Sequence, residues 1–134
     1  MGIFGALGIA GTGVTVYRKW IDAVSDNLAN MDDAKPTSGP AFQARYVIAR
    51  AVGYGSGNGG VEVGGTALGS ATGRLVYEPN NPLADSSGNV RYPDIDLGSQ
   101  MGQLIMAQRG YEANLTVIDR AKDAYEAALN VGKG

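Results

Sequence analysis

The sequence predicts an α+β chain: long N- and C-terminal helices forming a coiled-coil-like inner domain, with a small irregular β insert between them. Three observations carry this. Apolar residues recur at 3,4 spacing near both ends of the chain, which is the signature of a helix with one apolar stripe. Between those stretches lie short β-branched runs broken by Gly, Pro, Asn and Ser, which is the pattern of strands and turns. The composition changes sharply at both borders, so that residues 1–33 and 94–134 group together as a discontinuous helical domain and 34–93 form the insert.

The first helix is expected over residues 14–31. Its stripe reads Val14, Tyr17, Ile21, Val24, Leu28 and Met31, while Arg18, Lys19, Asp22 and Asp26 avoid it. Ahead of Val14, glycines at 2, 5, 8, 11 and 13 each weaken a helix by up to ~1 kcal/mol relative to Ala, so the leader is expected to be disordered in the free chain. Asn30, which tolerates the left-handed conformation at a helix end, and Pro36 mark the stop.

The last helix is expected to start at Asp94 or Asp96, either of which can accept from the unpaired N–H groups of a first turn. Its stripe reads Met101, Leu104, Gln108, Tyr111, Leu115, Ile118, Lys122, Tyr125 and Leu129, with Gln108 and Lys122 as polar interruptions. Ile105, Val117 and Ala121 widen the apolar side. Such a helix would be about 50 Å long, too long to fold within a compact domain of this size.

In the insert, Phe42–Val52 suits a strand with Phe42, Tyr46 and Ile48 on one side. Residues 61–63 and 74–77 are two further short candidates. Residues 53–73 hold nine glycines and read as a flexible loop or wide hairpin connection, and 78–89 reads as consecutive turns.

Composition excludes much chemistry. The 134 residues contain no Cys and no His. Disulfides, thiolate nucleophiles, Cys/His zinc sites and His-dependent triads are therefore ruled out. The formal net charge of −2 and scattered basic residues give no reason to expect a nucleic-acid partner. The first basic residue is Arg18, so the charged start of a secretory signal is missing.

Two constellations have the residue types of a site. Gly55, Gly57 and Gly60 formally make G-x-G-x-x-G, but a dinucleotide site needs a helix to follow and Val61-Glu-Val63 reads as a strand. Asp94 and Asp96, with Asp85 nearby, could serve a carboxylate enzyme, yet helix capping explains them better. No catalytic residue, cofactor, metal or small-molecule substrate is expected. An interaction protein remains, because the small insert cannot cover the apolar sides of both helices and leaving them wet costs free energy. The competing class is an amphipathic membrane-binding protein, supported by the apolar leader and Trp20 but opposed by a polar side of mixed charge.

Three segments resemble one family. Ser25-Asp-Asn-Leu-Ala-Asn30 is similar to the SNLAN signature near the N-termini of bacterial flagellar rod and hook proteins. Arg109-Gly-Tyr-Glu-Ala-Asn114 with Leu115 resembles their C-terminal Y-x-A-N helix. Leu75-Val-Tyr-Glu-Pro-Asn-Asn-Pro-Leu-Ala-Asp85, continued through Gly88-Asn-Val-Arg-Tyr-Pro-Asp94, resembles the proximal-rod subfamily.

The resemblance implies a structural subunit that packs helically into a hollow rod, carries torque from the membrane ring to the hook, and forms part of the export channel. It implies export by the flagellar type III apparatus without a cleaved signal. The implied partners are other copies, other proximal-rod proteins, the membrane-ring adaptor and distal-rod subunits. The expected subunit interface comprises Val14, Tyr17, Ile21, Val24, Asn27, Leu28, Ala29 and Asn30 on the first helix. On the last it comprises Leu104, Tyr111, Ala113, Asn114, Leu115, Ile118 and Tyr125. Asn27, Asn30 and Asn114 are expected to make buried amide hydrogen bonds that set helix register between subunits.

Overall fold

A computed structural model describes residues 2–53 and 59–134. Helix α1 (Ile3–Ala29) runs antiparallel to helix α2 (Leu97–Val131), and the two long elements form the body of the molecule. Contacts along the pair show the direction: Asn27 meets Gln100, Trp20 meets Gln103, and Phe4 meets Tyr125.

Helix α1 begins at Ile3, not at Val14, so the leader expected to be disordered is helical. Packing overrides the poor propensity of its glycines. Ala10 and Gly13 are buried, the Phe4 ring stands edge-on to Tyr125 at 5.5 Å, and the Thr12 hydroxyl accepts from the backbone N–H of Val61 at 3.1 Å. The helix ends at Asn30, but with φ −108° rather than a left-handed conformation. The Asn30 Nδ2 donates to the Asp26 carbonyl at 2.8 Å, which also accepts the Asn30 backbone N–H at 3.1 Å.

At the start of α2, Asp96 accepts from the Ser99 N–H at 2.7 Å. This selects Asp96 over Asp94 as the cap. The 35 residues of α2 extend about 52 Å.

The stripe joining the helices is rotated from the expected one. On α2 the positions facing α1 are Gln100, Leu104, Ala107, Tyr111, Asn114 and Ile118; Gln100 and Ala107 are buried, while Met101, Gln108, Leu115 and Lys122 are exposed. On α1, Ala10, Gly13, Tyr17, Trp20, Val24 and Asn27 replace the expected series, leaving Val14, Ile21 and Leu28 half-buried at its flank. Tyr17, Val24, Leu104, Tyr111 and Ile118 belong to both series. The reason is steric: small residues let the helix axes approach closely, and large apolar residues at the same positions would hold them apart.

Strand β1 (Arg45–Val52) starts three residues after the expected Phe42 and pairs antiparallel with β2 (Gly60–Leu68). Strand β2 is longer than the expected 61–63. It runs through Gly64 and Gly65, in what reads as a glycine-rich connection, because β1 supplies its hydrogen-bond partners. The register shift between Ile48 and Ala49 leaves Gly64 as the extra residue of a β-bulge. Gly60 has φ +145° and lies against Thr12, so it enters a strand and not the helix a nucleotide site needs; Gly55 and Gly57 lie outside the described residues.

A second ribbon joins β3 (Arg74–Tyr77) to β4 (Asn89–Tyr92). The sequence pattern ends its turns at Asn89 and marks no strand over residues 90–92. The strand character of β4 comes from pairing on both sides, with β3 on one and Lys35 bridging Arg91 on the other. Val90, Pro93 and Ile95 are buried here, together with Ala41 and Ala44.

Candidate assembly surface

Asn27 is the polar centre of the helix pair. It is fully buried and uses its whole amide. Its Oδ1 accepts from the Arg45 backbone N–H at 2.8 Å, and its Nδ2 donates to the Arg45 carbonyl at 2.9 Å and to Gln100 Oε1 at 3.0 Å. One side chain thus ties α1 to α2 and to the first residue of β1. At the far end, Thr12 ties α1 to the start of β2.

The other expected amide positions differ. Asn30 caps its own helix. Asn114 Nδ2 donates to the Gly110 carbonyl at 2.8 Å, within α2, while the side chain lies against Gly13. The amide bonds of Asn27, Asn30 and Asn114 are therefore made inside the chain. Ala29 and Ala113 are exposed.

Gln100, Thr12, Gly13 and Gly110 were missed by the sequence reading. Only the seven-residue recurrence of small or polar residues at Gln100, Ala107, Asn114 and Ala121 could have shown the α2 side of this contact, and larger apolar neighbours masked it.

At 3.6 residues per turn, Val14, Ile21 and Leu28 project to the side of α1 away from the β1–β2 hairpin, whose strands pack near Ala23. In the antiparallel pair, Leu97, Met101 and Leu115 of α2 project to that same side. Their exposures of 52, 43 and 37% are high for large apolar residues grouped on one face. The outcome is a two-helix apolar ridge opposite the hairpin. Beside the hairpin, a shallow groove of about 240 Å³ is lined by the charged Lys19, Asp22, Asp26 and Arg45 together with Ala23, Val47, Val63 and Thr66.

The segment 74–94 closes on itself. Asp85 accepts from the backbone N–H groups of Asn89 and Ser87 and from the Thr37 hydroxyl. The Asn89 N–H, then the Thr37 hydroxyl, hold its carboxyl below the ordinary 3.8. Glu78 accepts from the Tyr92 hydroxyl and from Asn81 Nδ2. Desolvation first, then Glu78, pushes the Tyr92 phenol above 10.0. The Arg91 guanidinium donates to the carbonyls of Thr37 and Thr72. Every one of these groups organises a turn. Among the described residues, no three His, Cys, Asp or Glu side chains are placed to hold a metal ion, and no helix is long and apolar enough to cross a membrane.

Two terminal helices zipped together, with an apolar ridge left open and polar groups committed to turns and caps, define a structural protein of the assembling kind. The comparisons give the family. The chain is 32% identical to the flagellar basal-body rod protein FlgC of Salmonella typhimurium over 134 residues, 99% of this chain and 100% of that one. It is 34% identical to FlgC of Borreliella burgdorferi over 152 residues, covering both chains completely. It is 33% identical to FlgC of Bacillus subtilis over 150 residues, 99% of this chain and 100% of the relative. A family model described as "Flagellar basal body rod FlgEFG protein C-terminal" matches residues 86–131, which take in β4 and all of α2.

The chain belongs to the FlgC family of flagellar basal-body rod proteins. It is a structural subunit of the flagellar rod and not an enzyme, and it has its place in the basal body. Family membership displaces the membrane-binding reading.

Proposed function

We propose that this subunit builds the proximal part of the rod by burying the α1–α2 apolar ridge against neighbouring subunits. The assembled helices carry torque from the membrane ring towards the hook and form part of the wall of the export channel. Its neighbours are copies of itself, other proximal-rod proteins, the membrane-ring adaptor and distal-rod subunits. It reaches that place through the flagellar type III apparatus without loss of a signal peptide.

The observation that carries this reading is the ridge itself. Val14, Ile21, Leu28 and Leu115, four of the expected interface residues, lie at the flank of the helix-pair seam with part of their surface open. Their burial would contribute about 25 cal/mol per Å². Tyr17, Val24, Leu104, Tyr111, Ile118 and Tyr125 serve as the frame that holds the ridge in place.

Leu115→Asp tests the reading in a strain lacking the native gene. The purified variant is expected to keep the native circular dichroism and a near-native Tm, because Leu115 lies on the exposed side of α2, while cells lose motility and rods. Normal swimming by Leu115→Asp and Ile21→Asp cells would reject the ridge. Flotation of the native chain with liposomes would restore the membrane reading.

A further inference from the structure

The contact of α1 with α2 contains a reciprocal fit that close helix packing alone does not require. The Tyr17 ring of α1 occupies the space where Gly110 of α2 would carry a Cβ. Four residues along each helix, the arrangement is reversed. The Asn114 side chain of α2 occupies the space where Gly13 of α1 would carry one, with Oδ1 2.5 Å from the ideal Cβ position. Each helix therefore offers one glycine notch and one bulky side chain, at i and i+4, and the two sets interdigitate. Asn114 is locked in its rotamer by its bond to the Gly110 carbonyl, so the second notch also steadies the wall of the first. Both glycines lie inside helices, where Gly is the poorest residue short of Pro. Neither has a positive φ, so the space left by the missing Cβ is what the fold uses.

We propose that Gly13, Tyr17, Gly110 and Asn114 form an interlock that admits a single axial register of α1 on α2. Other registers fail on side-chain volume. A slide of one heptad sets Tyr17 against Gln103 or Val117 and loses both notches. The next glycine up α2, Gly102, can take Tyr17 only by bringing Met106 onto Gly13. Asn27 and Gln100 satisfy each other in the interlocked register. The interlock thus blocks sliding in both directions, and the pair behaves as one strut. That last consequence rests on the rod reading above, since a torque-bearing subunit must not shear along its own helices.

The test is a bump-and-hole exchange on the purified chain, followed by thermal unfolding and by fluorescence of Trp20, the only tryptophan. Gly110→Ala alone is expected to lower Tm by about 5–15 °C through overpacking. In a Tyr17→Ala background the same change is expected to raise Tm by about 2–5 °C, because only the better helix propensity of Ala remains.

Gly13→Ala and Asn114→Ala form the second, milder cycle. Trp20 stacks on Tyr17 and bonds to Gln103, so its emission reports the register. Gly13→Ala is expected to shift it, and Gly13→Ala with Asn114→Ala to restore it. A fall in Tm for Gly110→Ala that is the same with and without Tyr17 overturns the interlock, as does unchanged Trp20 emission in Gly13→Ala. These readouts need no rod, so they fail or succeed independently of motility in Leu115→Asp cells.

Discussion

Removing the Asn27 amide is the most direct way to test how the helix pair is joined to the insert. In Asn27→Ala, three hydrogen bonds of 2.8, 2.9 and 3.0 Å disappear together. The two to the Arg45 backbone are partly buried, so water can replace them, and each counts for about 1 kcal/mol. The third is fully buried, and Gln100, only 2% exposed, is left with an acceptor that water cannot reach. An unsatisfied buried group adds about 1–3 kcal/mol. The total is about 3–5 kcal/mol, which for a chain of this length lowers Tm by about 10–20 °C.

Thermal and urea unfolding followed by circular dichroism measure this, and a cycle with Gln100→Ala should return a coupling of about 1–2 kcal/mol. Asn27→Asp sharpens the test. Its carboxylate would still accept from the Arg45 N–H but would face the Arg45 carbonyl with a second oxygen. Its folded pKa is therefore raised, so the penalty is absent below the unfolded value near ~3.9 and grows as pH rises above it. A loss below about 1 kcal/mol for Asn27→Ala, or an Asn27→Asp chain of native stability at pH 7, would refute the reasoning.

Asp96→Ala removes the α2 cap and is expected to cost about 1 kcal/mol, seen as a Tm lower by a few degrees and faster amide exchange in the first turn of α2. Gly73→Ala is expected to cost more than ~2 kcal/mol, because Gly73 has φ +59° and its Cβ would strike the Tyr92 carbonyl and Ala41; chemical denaturation measures it. The carboxyl of Asp85 is depressed, so its stabilising contribution is complete above the ordinary 3.8 and is lost as pH falls through the lower folded value. Carboxylate NMR should show an Asp85 midpoint below 3.8 that rises in Thr37→Val. Arg50→Ala breaks an ion pair with Glu62 whose side chains are 68% and 48% exposed, and is expected to change stability by less than ~0.5 kcal/mol in unfolding experiments.

The helices, their antiparallel-capable apolar patterns, strand β1 and strand β3 are legible in the sequence because each is a local signal. The helical leader is not legible. Gly5, Gly8, Gly11 and Gly13 argue against helix one residue at a time, and the contacts that overrule them lie some hundred residues away at Asn114 and Tyr125. Strand β4 is hidden for the same reason: four residues between Gly88 and Pro93 carry little pattern, and their partners are β3 and Lys35. Asn27 stood out within its motif, but its partners, the Arg45 backbone and Gln100, could not be read from spacing.

The one-residue rotation of the seam follows from what the apolar pattern measures. A search for spacing finds the largest apolar residues, and Val14, Ile21, Leu28, Met101 and Leu115 satisfy it as well as any. Close packing between two helices of one chain selects differently: Gly13, Ala10, Ala107 and Gly110 shorten the approach, while Asn27 and Gln100 fix the register. Bulky residues at those positions would lose the directional contacts by holding the helices apart. The two series share five positions; apart from Trp20, the positions peculiar to the seam are small or polar, and those beside it are mostly large and apolar. The first needs a defined partner at every position, and the chain supplies that partner itself. The second gains free energy from any complementary apolar surface, since burial is non-directional. A subunit of an assembled rod has use for both kinds of contact, the specific one within its own helix pair and the adaptable one left facing outwards.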